Sequence, residues 1–311
     1  MTSSITMKQY TSHSDFQPPM RDGVTASKVY LPQLEKSPQS LFVFLCEHFP
    51  HITANEWRQR FDDHLILDMH GQTLRIEHPY IEHTHIYYYR FLNHEVQVPF
   101  QEKILYENDD LLVVDKPHFL TISPSGQYIQ ETLLVRLKKT TNNADLTPIH
   151  RLDRETAGVV LFSKRPQTRG IYQQMFADRQ VKKTYHAIAA YNPNLSFPCQ
   201  VALRMEKGEP FYTMKVTEGI TNSQTEIHLI EHDQVWAKYL LKPITGKQHQ
   251  LRVHLNWLNL PIKNDSFYPT VVHKDPHDFS QPLQLLAHKI EFIDPITMQA
   301  LCFCSAYELT L

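Results

Sequence analysis

The sequence predicts an α+β fold: a mixed, largely antiparallel sheet with flanking helices, preceded by a small helix-helix-strand module. Three observations point to it. Strand-like segments follow one another with few helices long enough to serve as parallel crossovers. Only two amphipathic helical patterns stand out beyond residue 101. From there to Leu311 no linker-like change of composition interrupts the chain.

Taken in order, residues 1–37 read as an irregular lead, broken by Pro18-Pro19 and Asp22-Gly23. The small module is expected over 38–98. Its first helix is the apolar run LFVFLCEHF after Ser40, stopped by Pro50. Thr53 precedes Glu56 at the spacing of a capping box, which opens a second helix, ANEWRQRFDDHL. LILDMHG and THIYYYRFL then read as strands, with a turn at His70-Gly71. The large domain is expected over 99–311. ILYENDDLLVVDKP gives two strands around Asn108, Asp109 and Asp110, and VVLFSK, KKTYHAIAAY, TEIHLIE, VWAKYLLKPI and KIEFI give further strands. One helix spans Gln167–Phe176 after Pro166, with Ile171, Met175 and Phe176 on one side. Another spans Lys247–Asn259, with Leu251, Leu255 and Leu258 on one face and His249 and Arg252 opposite.

Composition narrows the function. The 311 residues are 41% hydrophobic and 21% charged, which is globular and excludes a disordered or fibrous chain. The net charge of −2 means that any nucleic-acid site must be local. With only 8 glycines, a Gly-rich nucleotide cradle is not expected. No run of eighteen apolar residues suggests a membrane span, and the polar start lacks a secretory signal. The 4 cysteines form no CxxC pair, so plain thiols in a reducing cytoplasm are expected. Cys302 and Cys304 flank Phe303 at the spacing of one strand face. Nine histidines fall in residues 1–100, including His78, His83 and His85, but alternate His beside Glu82 reads as a hydrated face, and no metal is assigned.

Positive charge concentrates between His150 and His186, where 8 basic residues face 3 acidic ones, a local +5. A solvated face would explain that, and so would a groove that tracks phosphates. The segment HRLDRETAG, residues 150–158, is more specific. It sets Asp153 between Arg151 and Arg154, and flanking cations keep such an acid ionised and available as a nucleophile.

HRLDRETAG resembles the central motif of the RluA family of RNA pseudouridine synthases, HRLD-x-x-T-[ST]-G. Four further segments resemble that family's motifs in the same order: VVDKPHFLTISPSG (113–126), VKKTYHAIAA (181–190), TGKQHQLRVHLNWLNLPIKND (245–265) and LLAHKIEFIDP (285–295). The resemblance covers roughly 200 residues. It implies a pseudouridine-synthase-like catalytic domain that breaks a uridine's N-glycosidic bond, turns the base and rejoins it through carbon, with no cofactor.

The resemblance makes Asp153 the catalytic carboxylate, either adding to the sugar or taking a sugar proton. It makes Arg252 the partner of that carboxylate, where the bare pattern also fits a surface helix with a snorkelling arginine. Tyr185, which strand position alone would place in the core, becomes the residue that stacks on the target base. Arg151 is expected to fill the gap left by base flipping. Lys116, Lys183, His150 and Lys247 are expected to contact RNA. The expected partner is structured RNA, ribosomal or transfer, bound by a monomer in the cytoplasm.

The chain departs from the family pattern at Ala157 (usually Ser), Lys247 (usually Arg), Asn259, Leu260 and Asn264 (usually Gly, His and Gly) and Leu286 (usually His). The amino-terminal module is weakly similar to a ribosomal-protein-type RNA-binding module, although Arg58, Arg60, Arg75 and Arg90 sit among many acids. Three rival readings fit the sequence less well. A protein kinase lacks its Gly-rich loop, its metal-binding Asn and DFG. A metal hydrolase lacks a partnered ligand set. A non-catalytic RNA-binding protein that keeps the fold is opposed by the presence of Asp153, Tyr185 and Arg252 together.

Overall fold

The computed structural model describes residues 16–92 and 95–311. The chain divides into two compact units, Met1–Asn93 and His94–Leu311.

The first unit contains β1 (Ser27–Leu31), α1 (Leu41–His48), α2 (Ala54–Asp62), β2 (Ile66–Leu67) and β3 (Thr84–Tyr88). The three strands form one antiparallel sheet in the order β1-β3-β2. The capping box is present: Thr53 Oγ1 accepts from Glu56 N at 3.3 Å, while the Glu56 carboxylate accepts from Thr53 N at 2.8 Å. Phe44, Leu45, Trp57 and Phe61 pack the two helices onto Val29, Leu31, Ile86 and Tyr88 of the sheet. The irregular lead is corrected at β1, which lies inside it. Five residues that alternate inward at Val29 and Leu31 are too short a pattern to stand out until β3 pairs with them. Residues 1–15 of that lead lie outside the described residues.

The second unit begins earlier than Pro99. Glu95 accepts backbone N–H groups from Ile129, Gln130 and Glu131 at 2.6–2.9 Å, and Val98 is buried in a core with Leu112, Val160 and Phe162. The connector therefore packs as part of the larger unit. Its elements are β4 (Lys103–Glu107), β5 (Leu111–Lys116), α3 (Leu133–Thr141), β6 (Thr147–Pro148), β7 (Ala157–Ser163), α4 (Pro166–Ala177), β8 (Lys182–Ala190), β9 (Cys199–Lys207), β10 (Met214–Thr217), β11 (Ser223–His232), β12 (Trp236–Pro243), α5 (Gln250–Trp257), β13 (Leu285–Ile293) and β14 (Ala300–Cys304).

One sheet of 11 strands runs β10-β9-β11-β12-β8-β13-β7-β5-β4, with β14 on β13 and β6 on β7. Every pairing is antiparallel except β13 with β7. The α+β class with a mixed, largely antiparallel sheet is what the sequence predicts.

β5 and β7 are buried along their whole length, and their near-continuous apolar runs are the signature of strands covered on both faces. At the start of β7, Gly158 is obligatory. Its φ is +117°, and an added Cβ would lie 2.2 Å from the Ala287 carbonyl oxygen. The HRLD loop thus passes into the sheet by close contact with β13.

Two helical expectations are revised. In α4 it is Tyr172 and Met175 that face the core, while Ile171 points outward. α5 is shorter than Lys247–Asn259, because His249 takes a left-handed backbone at its start (φ 53°) and Asn259 does so just past its end (φ 57°). Six consecutive residues of α5, Gln250–Leu255, are buried, so it is a central helix and not a surface one.

Candidate active site

The HRLD loop, the start of β8 and the TGKQHQLR turn at the head of α5 surround a cavity of about 660 Å³. Asp153 stands in its wall with a side chain 22% exposed. Its loop is held from behind. Asp153 O accepts Thr156 N at 3.1 Å, and Lys116 Nζ donates to the carbonyls of Pro117, Leu120 and Arg154 at 2.8–3.0 Å. Ser266 Oγ donates to Glu155 Oε2 at 2.7 Å and ties the loop to the segment after α5.

Arg252 meets Asp153 from the helix. Nη1 donates to Asp153 Oδ2 at 3.2 Å. The rest of the guanidinium is committed to Asp265: Nε to Oδ2 at 2.8 Å and Nη2 to Oδ1 at 2.5 Å. Asp265 Oδ1 also accepts the backbone N–H groups of Phe267 and Tyr268, and the rings of those two residues lie 4.8 and 5.4 Å from the guanidinium carbon. Burial works against the charge on Arg252, but the hydrogen bonds and charge of Asp265, with Asp153 behind them, hold its proton well above the ordinary arginine range. The planar guanidinium presents donors in fixed directions to two carboxylates at once, where an ammonium would be a compact point charge with freely turning donors. Arg252 is accordingly a fixed, permanent cation that orients one oxygen of Asp153 and leaves the acid open to the cavity.

Tyr185 reaches the same cavity from β8 and packs between the two main cores of the unit. Burial, followed by the negative charge of Asp153, raises its phenol well above the usual range, so it remains protonated. Around the mouth, Arg151 and Lys247 are exposed. Lys183 is half-buried, and desolvation lowers its ammonium.

Two expected RNA contacts are corrected. Lys116 is fully buried, with its three donors on three carbonyls, and cannot reach a phosphate. Burial brings its ammonium down to about 7, with the charge of Asp153 acting against that. His150 lines the cavity, but its Nε2 accepts Leu161 N at 3.1 Å and its ring stacks on Phe176 at 4.7 Å. Burial, then the charge of Lys183, lowers His150 to about 3, which leaves it a neutral wall.

Sequence reasoning passed over Asp265 as a site residue, although it closes the fourth motif, and Tyr268 as well. It also set His249 on the helix. The structure puts His249 before the helix, with Nε2 3.7 Å from Asp153 Oδ1 and Nδ1 2.9 Å from Tyr268 Oη.

Five of the six departures from the family pattern have physical explanations, and nothing in the structure explains Lys247. Asn259 and Asn264 have φ of 57° and 65°, a region that Asn tolerates better than other side chains with a Cβ. Ala157 and Leu286 are register partners between β7 and β13, both completely buried in one apolar cluster with Ile188 and Leu309. The two polar residues usual at these positions are replaced together, so neither is left buried without a partner. Leu260 fills the core beneath α5.

A family model for RNA pseudouridylate synthase matches residues 110–257, the stretch that carries Asp153, Tyr185 and Arg252. Over that stretch the chain is similar to the RluA family of RNA pseudouridine synthases. Among relatives, the tRNA pseudouridine synthase C of Vibrio cholerae is 29% identical over 64% of this chain and 88% of its own length. The yeast tRNA pseudouridine(31) synthase is 29% identical over 56% of this chain, and human pseudouridylate synthase RPUSD2 is 30% identical over 54%. The matched region spans only 48% and 31% of the length of those two relatives. Among solved structures, human RNA pseudouridylate synthase domain containing 4 shares 25% identity at a TM-score of 0.52, covering 66% of this chain and 88% of that one. The human domain containing 1 has a TM-score of 0.55 at 24% identity, covering 67% and 84%, a likeness of fold.

No three His, Cys, Asp or Glu side chains among the described residues come together as a metal-binding group. His83 Nδ1 is hydrogen-bonded to Tyr30 Oη at 3.0 Å, and His85 stacks on the Tyr30 ring. Among the described residues no helix is long and apolar enough to cross a membrane.

Proposed function

We propose that this chain is an RNA pseudouridine synthase that isomerises uridines in structured RNA, with Asp153 as the catalytic carboxylate, Arg252 as its fixed partner and Tyr185 as the surface on which the target base stacks. The observation that carries the reading is the two-carboxylate clamp on Arg252. Asp265 engages two of the guanidinium's three nitrogens and the third points at Asp153, so the catalytic acid is oriented yet still faces the cavity. In the isomerisation the bond from N1 to C1′ breaks, the base turns, and C5 bonds to C1′. N1 ends with a hydrogen and C5 loses one, so no oxidant or phosphate is consumed. The cavity holds one nucleotide out of the stack, since the glycosidic bond cannot be reached within a helix. Arg151 and Lys247 at the mouth supply the cationic rim, with Lys183 deeper in.

Relatives named for transfer RNA and for the large ribosomal subunit support RNA of those classes as substrate. Action as a monomer belongs to the same proposal. So does a cytoplasmic site of action, with which the four free thiols agree.

The test is Asp153→Asn in single turnover on unmodified transfer and ribosomal transcripts, with RNA binding measured in parallel. Pseudouridine formation falls below detection while affinity is kept or slightly improved, because a negative charge near phosphates is gone. Turnover like that of the wild type in Asp153→Asn would overturn the assignment.

A further inference from the structure

The two oxygens of Asp153 are held differently. Oδ2 receives Arg252 Nη1, whereas Oδ1 faces His249 Nε2 at 3.7 Å. His249 is buried, and its other ring nitrogen, Nδ1, lies 2.9 Å from Tyr268 Oη. That phenol oxygen accepts the backbone N–H of Met214, from β10, at 2.8 Å. Tyr268 has a single O–H hydrogen, and burial pushes the phenol up to about 12, so the hydrogen is retained. His249 Nδ1 is the acceptor the structure sets before it. Nδ1 therefore receives a hydrogen bond, and the proton of the neutral ring sits on Nε2, facing Asp153.

We propose that His249 is a positioning residue for the isomerisation, locked by Tyr268 and the β10 backbone as the neutral Nε2–H form, so that Asp153 has a cation on one oxygen and only a weak neutral donor on the other. The inference rests on the synthase reading. An imidazolium at that position would pair with the carboxylate and reduce its power to attack the sugar or take its proton. The charged and titratable groups that face His249 are Asp153 and Arg151 from the HRLD loop, Arg252 from α5, and Asp265 and Tyr268 from the following segment. Burial disfavours the charged ring, the charge of Asp153 opposes this, Arg252 supports it, and the net direction is downward from the ordinary histidine value.

Tyr268→Phe in the full chain keeps the ring beside Arg252 and removes only the hydroxyl. Nδ1 loses its donor, so proton affinity at His249 rises by about one pH unit, the worth of one hydrogen bond. Ring-nitrogen NMR of the free protein from pH 5 to 8 is expected to show the Nε2–H tautomer in the wild type and a titration about one unit higher in Tyr268→Phe. Single-turnover rates on pooled unmodified tRNA transcripts should follow. The acid limb of the variant moves up by about one unit, with a loss relative to the wild type that grows toward about tenfold at the acid end of the range and is small at pH 8. A purely structural defect would lower the rate equally at every pH. Adding His249→Asn, which suits the left-handed backbone and does not titrate, should abolish the shifted limb.

An Nδ1–H tautomer in the wild type, superposable pH profiles, or a limb that persists in the double variant would each overturn the proposal. If the wild type makes no pseudouridine, it is the synthase reading that fails, and the nitrogen titration alone then decides how Tyr268 holds His249.

Discussion

Lys116 and Lys247 both lie within motifs of the family, yet one is buried against carbonyls and the other is exposed at the cavity mouth. Lys116→Met leaves the Pro117, Leu120 and Arg154 carbonyls without a donor inside a sealed core. It should cost about 3 kcal/mol of stability, read as a lower denaturant midpoint at unchanged slope. The salt dependence of RNA binding should not change in that variant. Lys247→Met should do the reverse, with stability unaltered and the log–log salt slope reduced by about 0.9 on duplex RNA or about 0.7 on a single strand. A slope change in Lys116→Met, with Lys247→Met silent, would mean that the cavity mouth does not meet the phosphates. At this scale the sequence identified Asp153 through its neighbours and its motif, but it misassigned Lys116 and His150. Residue type does not reveal whether a cation or an imidazole has carbonyls and rings packed around it.

The element that sets the geometry of the site is the passage from the HRLD loop into β7. Gly158 lies against the Ala287 backbone with a positive φ, and the loop behind it is pinned by Lys116, Thr156 and Ser266. Gly158→Ala pushes a methyl group into a carbonyl oxygen and strains the backbone, so roughly 3 kcal/mol should be lost. Any folded product should turn over slowly while RNA affinity is little altered, because the displaced atoms belong to Asp153 and not to the cationic rim. Thermal unfolding and single-turnover rates measured on one preparation check both effects, and an unaltered melting temperature would show that β13 yields at no cost. α5 shows the limit of reading elements from periodicity. Its leucine stripe was legible, but the opposite stripe of Arg252 and its polar neighbours is buried as well, because Asp153 and Asp265 come from distant parts of the chain to cover it.

Across the whole molecule, the five motifs and every residue of the proposed site lie in the larger unit, which has its own cores and its own sheet. A fragment of residues 94–311 should therefore fold alone, with a cooperative thermal transition and activity on a short hairpin RNA, even if affinity for longer RNA falls. Loss of activity with an intact circular dichroism spectrum would show that the first unit completes the catalytic centre. The cut must fall before Glu95 and not at Pro99, since Glu95 caps the backbone of 129–131 and Val98 fills the core.

Alternation, capping and motif order are local properties, and for that reason the sequence by itself determined the α+β class, the capped second helix, the strands around Asp153 and Tyr185, and the resemblance to the family. What only the tertiary structure decided is every relation between residues far apart in the chain. Asp265 holds the other side of Arg252 across thirteen positions, Lys116 reaches Arg154 across 38, and Ala157 pairs with Leu286 on a neighbouring strand. The same holds for β1, which becomes a strand only through β3, and for the Asn259 and Asn264 substitutions, whose sense lies in left-handed backbone angles. Burial and partnership depend on what the rest of the chain brings to a residue, and no window of sequence around it contains that information.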